Sequence, residues 1–99
     1  MSTRWEQRRR RCKGYYRLRQ GVQPLSPRRL AILLCLARCQ AKGEVPTLSL
    51  MAREADCEEE HAAELLEELV ECAGLVEFDE AAAAFGLTPR GHAKIEGAA

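Results

Sequence analysis

The chain has 99 residues, 46% of them hydrophobic, with 15 basic and 15 acidic side chains that cancel to a formal net charge of zero. This length supports one domain with a core able to fold without staples. The longest apolar run, Leu30 to Ala37, falls well short of the roughly 18 residues of a membrane span, so a membrane protein is not expected.

The zero sum hides a separation of sign. Residues 1–29 carry ten basic residues and one acid, a net +9, whereas residues 30–99 carry five basic residues and fourteen acids, a net −9. Opposite charge on arm and body allows them to attract each other or to meet different partners. No apolar segment follows the basic cluster Arg8 to Arg11 as a secretory signal would require, so the expected location is cytoplasmic. The five cysteines, Cys12, Cys35, Cys39, Cys57 and Cys72, are an odd set, and the expectation is reduced and mostly buried thiols.

In chain order, residues 1–25 read as a basic arm, partly helical, in which Trp5, Tyr15, Tyr16 and Leu18 interleave with the charges. Residues 26–99 read as the folded domain. Ser26 followed by Pro27 is an N-cap with a first-turn proline. The first helix starts there, is expected to bury Leu30, Leu33, Leu34, Ala37 and Ala41, and ends at Gly43 in a left-handed turn. Thr47 caps a short second helix with Leu48, Met51, Ala52 and Ala55 inward, and Asp56 and Cys57 make the turn. The third helix covers Glu58 to Ala73, with Ala62, Leu65, Leu66, Leu69, Val70 and Ala73 inward, and stops at Gly74. Leu75, Val76 and Phe78 read as a strand, Asp79 to Ala84 as a turn and Phe85 to Leu87 as the returning strand. Thr88 and Pro89 repeat the cap-plus-proline signal and open a last short helix through Ile95.

Three helices, a hairpin and a helix resemble the winged helix-turn-helix fold, a mainly α (α+β) architecture. Three phrases carry the resemblance to bacterial regulators of the MarR and ArsR types. Thr47-Leu48-Ser49-Leu50-Met51-Ala52 is similar to the opening of their second helix. Leu66, Leu69 and Ala73-Gly74-Leu75-Val76-Glu77 are similar to the exit of their recognition helix into the wing. Leu87-Thr88-Pro89-Arg90-Gly91-His92-Ala93 is similar to the passage from wing to closing helix. One departure is the exit of the third helix, which is one residue longer than the family pattern.

The resemblance implies a DNA-binding transcriptional regulator, commonly a homodimer, whose third helix enters the major groove. The positions it would turn to DNA are Glu59, Glu60, His61, Ala63, Glu64 and Glu67. Four of these six are acids, and phosphate approach depends on Lys and Arg displacing condensed counterions. The wing tip, Asp79-Glu80-Ala81-Ala82-Ala83, carries no basic residue either, so the likeness of fold does not bring the function with it.

Two functional readings follow. In the first, the chain binds nucleic acid, double-stranded DNA foremost, through Arg8, Arg9, Arg10, Arg11, Lys13, Arg17 and Arg19, with Tyr15 and Tyr16 stacking on bases and Arg28 and Arg29 extending the patch. The bland counterpart is a solvated tail, or one that docks on the protein's own acidic helix. In the second reading, the acidic helix bearing Glu59, Glu60, His61, Glu64 and Glu67 binds a basic protein partner and DNA is not touched. Its bland counterpart is a solvated surface with acids at the positive end of the helix dipole.

Cys35 with Cys39, and Cys57 with His61, are each four apart, a spacing that can offer soft ligands to zinc. Structural packing is the default for such cysteines, and neither a metal nor any other cofactor is expected. No nucleophile and base, paired carboxylates or glycine-rich phosphate loop stand in catalytic spacing, so the chain is read as a non-enzyme.

Overall fold

The computed structural model describes residues 25–98. The arm residues 1–24, with the expectation of partial helix and the nucleic-acid candidates Arg8 to Arg11, Lys13, Tyr15, Tyr16, Arg17 and Arg19, lie outside the described residues. The described residues form four helices and a two-stranded antiparallel hairpin, and none of these helices is long and apolar enough to cross a membrane.

Helix α1 runs Pro27–Lys42. Ser26 Oγ accepts from the backbone N–H of Arg29 at 3.4 Å and from its guanidinium Nη1 at 3.0 Å, satisfying a donor the helix itself cannot pair. Gly43, at φ 70°, ends the helix, a conformation that costs glycine nothing because it has no Cβ. The inward face differs from the expected stripe: Ile32, Leu33, Cys35, Leu36 and Cys39 are buried, whereas Leu34 is 40% exposed and Ala41 faces solvent. An unbroken apolar run permits more than one stripe. The polar residues decide it, because Leu34 lies one turn before Arg38 and shares its exposed face.

Helix α2, Leu48–Ala55, is capped by the Thr47 hydroxyl, which accepts from Leu50 N–H at 3.1 Å. It buries Met51, Ala52 and Ala55. Asp56 closes it at φ 54°. Helix α3, Glu59–Glu68, then buries Ala62, Leu65 and Leu66.

The expected third helix does not continue as α to Gly74. Leu69–Ala73 form a π-helical turn, in which the Gly74 N–H donates to the carbonyl of Leu69 five residues back. A π turn absorbs one extra residue within a helix. The wider turn keeps Leu69, Cys72 and Ala73 all in the core. Val70 remains half-buried.

Strands β1 (Val76–Asp79) and β2 (Ala84–Leu87) pair in the register Val76 with Leu87 and Phe78 with Phe85. Both start or end one residue from the expected bounds, since Leu75 lies before β1 and Asp79 pairs with Ala84. Asp79 Oδ1 accepts from the N–H of Ala81 at 3.0 Å and Ala82 at 3.4 Å, shaping the tip as a short acidic side chain can. Helix α4, Pro89–Ala98, outlasts its expected end at Ile95. Helix α1 sits centrally, packing against α2, α3, β2 and α4.

Candidate functional site

The outward side of α3 carries Glu59, Glu60, Ala63, Glu64 and Glu67, all exposed, with His61 half-buried. Five of the residues proposed for partner binding, Glu59, Glu60, His61, Glu64 and Glu67, therefore share one helix whose inner residues are held by the core. The His61 Nδ1 lies 3.7 Å from Glu64 Oε2. No Lys or Arg occurs between Glu58 and Ala73, so the segment carries no permanently basic side chain of its own.

An apolar groove of about 450 Å³ opens beside this acidic side, between α2, α3 and the hairpin. Leu48 and Met51 come from α2, Ala63 and Leu66 from α3, and Phe85 from β2. Its only charged lining side chains among the described residues are Glu67 and Glu71. The apolar surface continues onto the hairpin, because Phe78 meets Phe85 edge to face with ring centroids 5.0 Å apart while remaining 50% exposed. Pro46 lines the other end, and its neighbour Val45 is 61% exposed. Nothing in the sequence pattern marks this groove, since its residues come from three elements and gather only through the packing of α2 on α3.

Two of the residues assigned to nucleic acid, Arg28 and Arg29, lie at the start of α1 and engage the protein itself. Arg28 Nη2 donates to the Asp56 carbonyl at 3.4 Å. Arg29 Nη2 lies 3.0 Å from Glu68 Oε2, both side chains about one quarter exposed. Leu25, immediately before α1, packs against the core.

The cysteines divide. Cys35 and Cys39 are buried free thiols on α1, and Cys57 is a half-buried free thiol. Cys72 is disulfide-bonded, which corrects the expectation of an entirely reduced set; spacing in sequence carries no information on which thiols meet in space. Burial foremost, then Cys39 beside it, pushes the Cys35 thiol up to about 11. It stays protonated at neutral pH, the form unsuited to metal ligation or nucleophilic attack. Among the described residues, no three His, Cys, Asp or Glu side chains are placed to share a metal ion; Cys35, Cys39, Cys57 and His61 are not gathered into such a set.

The hairpin tip is acidic and alanine-rich, with Asp79, Glu80, Ala81, Ala82 and Ala83 all exposed. Compared with protein-family models, curated proteins and solved structures, the chain gives no match.

Proposed function

We propose that the protein is a non-enzymatic, cytoplasmic interaction module of winged-helix type, whose acidic α3 receives a basic segment of polypeptide. The order of three helices, a hairpin and a closing helix supports the fold assignment. The observation that carries the functional reading is the exposed face Glu59, Glu60, Glu64 and Glu67 lying beside an apolar groove. Such a surface repels phosphate. It offers a basic, partly apolar peptide both charge complementarity and a place to bury a side chain.

The test uses a 16-residue arginine-rich peptide as probe, titrated into the full chain at about 0.15 M salt, where the Debye length is about 8 Å and only close charge pairs remain effective. Binding that disappears in Glu59→Lys/Glu60→Lys/Glu64→Lys/Glu67→Lys supports the reading. Equal binding by both proteins would overturn it.

A second reading, a DNA-binding regulator acting as a homodimer, rests on the excess of ten basic residues to one acid in residues 1–29. It would anchor phosphates through the arm with little base readout by α3. A salt series with a mixed duplex separates the two: tight binding that weakens steeply with salt and is indifferent to the α3 reversal favours the arm.

A further inference from the structure

We propose that the groove between α2, α3 and β2 seats an amphipathic helix of a partner protein, with two large apolar side chains in the groove and basic residues beside Glu59, Glu60 and Glu64. This rests on the reading of α3 as a receptor for basic polypeptide, and it specifies the form in which that polypeptide binds.

The lining decides the conformation of the occupant. Leu48, Met51, Ala63, Leu66, Val70 and Phe85 make the groove an apolar wall. Its charged lining side chains among the described residues, Glu67 and Glu71, already have partners within the chain. An extended peptide carries an N–H and a carbonyl at every residue, and those turned to this wall would find nothing to bond. A helix pairs the same groups internally and presents only side chains. The groove, at about 450 Å³, has room for two side chains of leucine size, which a spacing of three or four residues brings to one helical face. Phe78 and Val45, both exposed at its ends, extend the apolar contact beyond those two.

Charge decides the other side of the partner. Glu60 and Glu59 lie three and four residues before Ala63, a groove-lining residue, so they continue its stripe by one turn toward the start of α3. Glu64 flanks the same stripe, and all three carboxylates are exposed. Basic side chains on an incoming helix meet them at the rim of the apolar contact, where complementary charge sets selectivity and the rate of encounter. An acidic amphipathic helix would be repelled there. The folded body of a second copy, residues 30–99 with a net −9, would likewise bring like charge to this face.

Two peptides of identical composition test the proposal, each of about 16 residues or some four helical turns, built from leucine, alanine, glutamine and arginine. In one, the leucines recur every three or four residues and share a face; in the other, they are spread around the helix. Titrated into the full chain at about 0.15 M salt, the first should bind about tenfold tighter than the second. It should also gain helical circular dichroism on binding and shift the methyl resonances of Leu48, Leu66 and Val70. Ala63 is an exposed residue of α3, and Ala63→Trp fills the groove without altering any charge. This variant should lower the first peptide to the affinity of the second, and the shorter Ala63→Gln should do so in part. The contact between the rings of Phe78 and Phe85 serves as the check that each variant is folded.

Equal affinity of the two peptides for the wild type would overturn the proposal, as would a preference that survives Ala63→Trp in a folded chain or binding without gain of helix. So would a dimer in sedimentation that Ala63→Trp dissociates, which would assign the groove to a second copy. None of these results removes the broader reading of α3, which fails separately if charge reversal leaves peptide binding unchanged.

Discussion

Arg29 Nη2 lies 3.0 Å from Glu68 Oε2, joining the first turn of α1 to the last residue of α3 across a sequence separation of 39 residues. The same guanidinium donates through Nη1 to the Ser26 hydroxyl at 3.0 Å, so one side chain holds the N-cap of α1 and the end of the acidic helix together. Arg29→Ala is expected to cost about 1 kcal/mol, above the median for exposed pairs because the geometry is fixed by two partners. A melting temperature lower by about 4–8 °C would register that loss in a domain of this size. Arg29→Lys should recover only part of it, since an ammonium does not reach two separate acceptors as a guanidinium fork does.

The junction of hairpin and α4 is held by Thr88. Its hydroxyl donates to the Gly74 carbonyl at 2.8 Å and accepts from the Gly91 N–H at 3.1 Å, while its own N–H donates to the Leu75 carbonyl at 3.1 Å. Thr88→Val keeps the shape and removes both hydroxyl bonds, with an expected loss of about 1–3 kcal/mol. At Gly91 a Cβ would collide with the Leu75 carbonyl and crowd Leu87. Gly91→Ala is therefore expected to destabilise in urea titrations despite the better helix propensity of alanine, worth about 1 kcal/mol in the other direction.

Asp56 closes α2 at φ 54°, in the left-handed region that L residues with a Cβ adopt at a cost. Its backbone carbonyl, which accepts from Arg28, is kept by any substitution. Asp56→Gly should therefore raise stability slightly, by up to about 1 kcal/mol, after allowing for the larger entropy of glycine in the unfolded chain. A fall in the denaturation midpoint would show that the carboxylate itself contributes.

Burial raises the Cys35 thiol from 9.0 to about 11. Below pH 9 the thiol is neutral in both folded and unfolded chains and exerts no pH-dependent effect. Between pH 9 and 11 the unfolded chain loses the proton first, so stability falls with rising pH through that window. Comparison of urea midpoints for the wild type and Cys35→Ala at pH 8 and 10.5 isolates this contribution, because the other titrating groups are common to both. The expected decline is steeper in the wild type.

Local chemistry was legible wherever a cap or stop decides an element. Ser26, Pro27, Gly43, Thr47 and Thr88 mark helix boundaries through single hydrogen bonds or single backbone conformations, and these are written in adjacent residues. Face selection was harder. In Leu30 to Ala37 the apolar residues are too dense to define a stripe, and Cys35 and Cys39, expected to be buried but not counted in the stripe, complete the inward face. The π turn at Leu69–Ala73 was not legible, because its residues are the same helix formers that an unbroken α-helix would carry. The acidic positions of α3 were legible because charge is visible in sequence, while the groove beside them depends on how α2, α3 and β2 pack.

The central claim, that α3 receives basic polypeptide, is tested most directly by calorimetric titration of the arginine-rich peptide into the full chain and into Glu59→Lys/Glu60→Lys/Glu64→Lys/Glu67→Lys at about 0.15 M salt. The account predicts saturable binding to the wild type and none to the reversed chain. Binding of equal strength to both would contradict it, and would direct attention to the basic arm and nucleic acid.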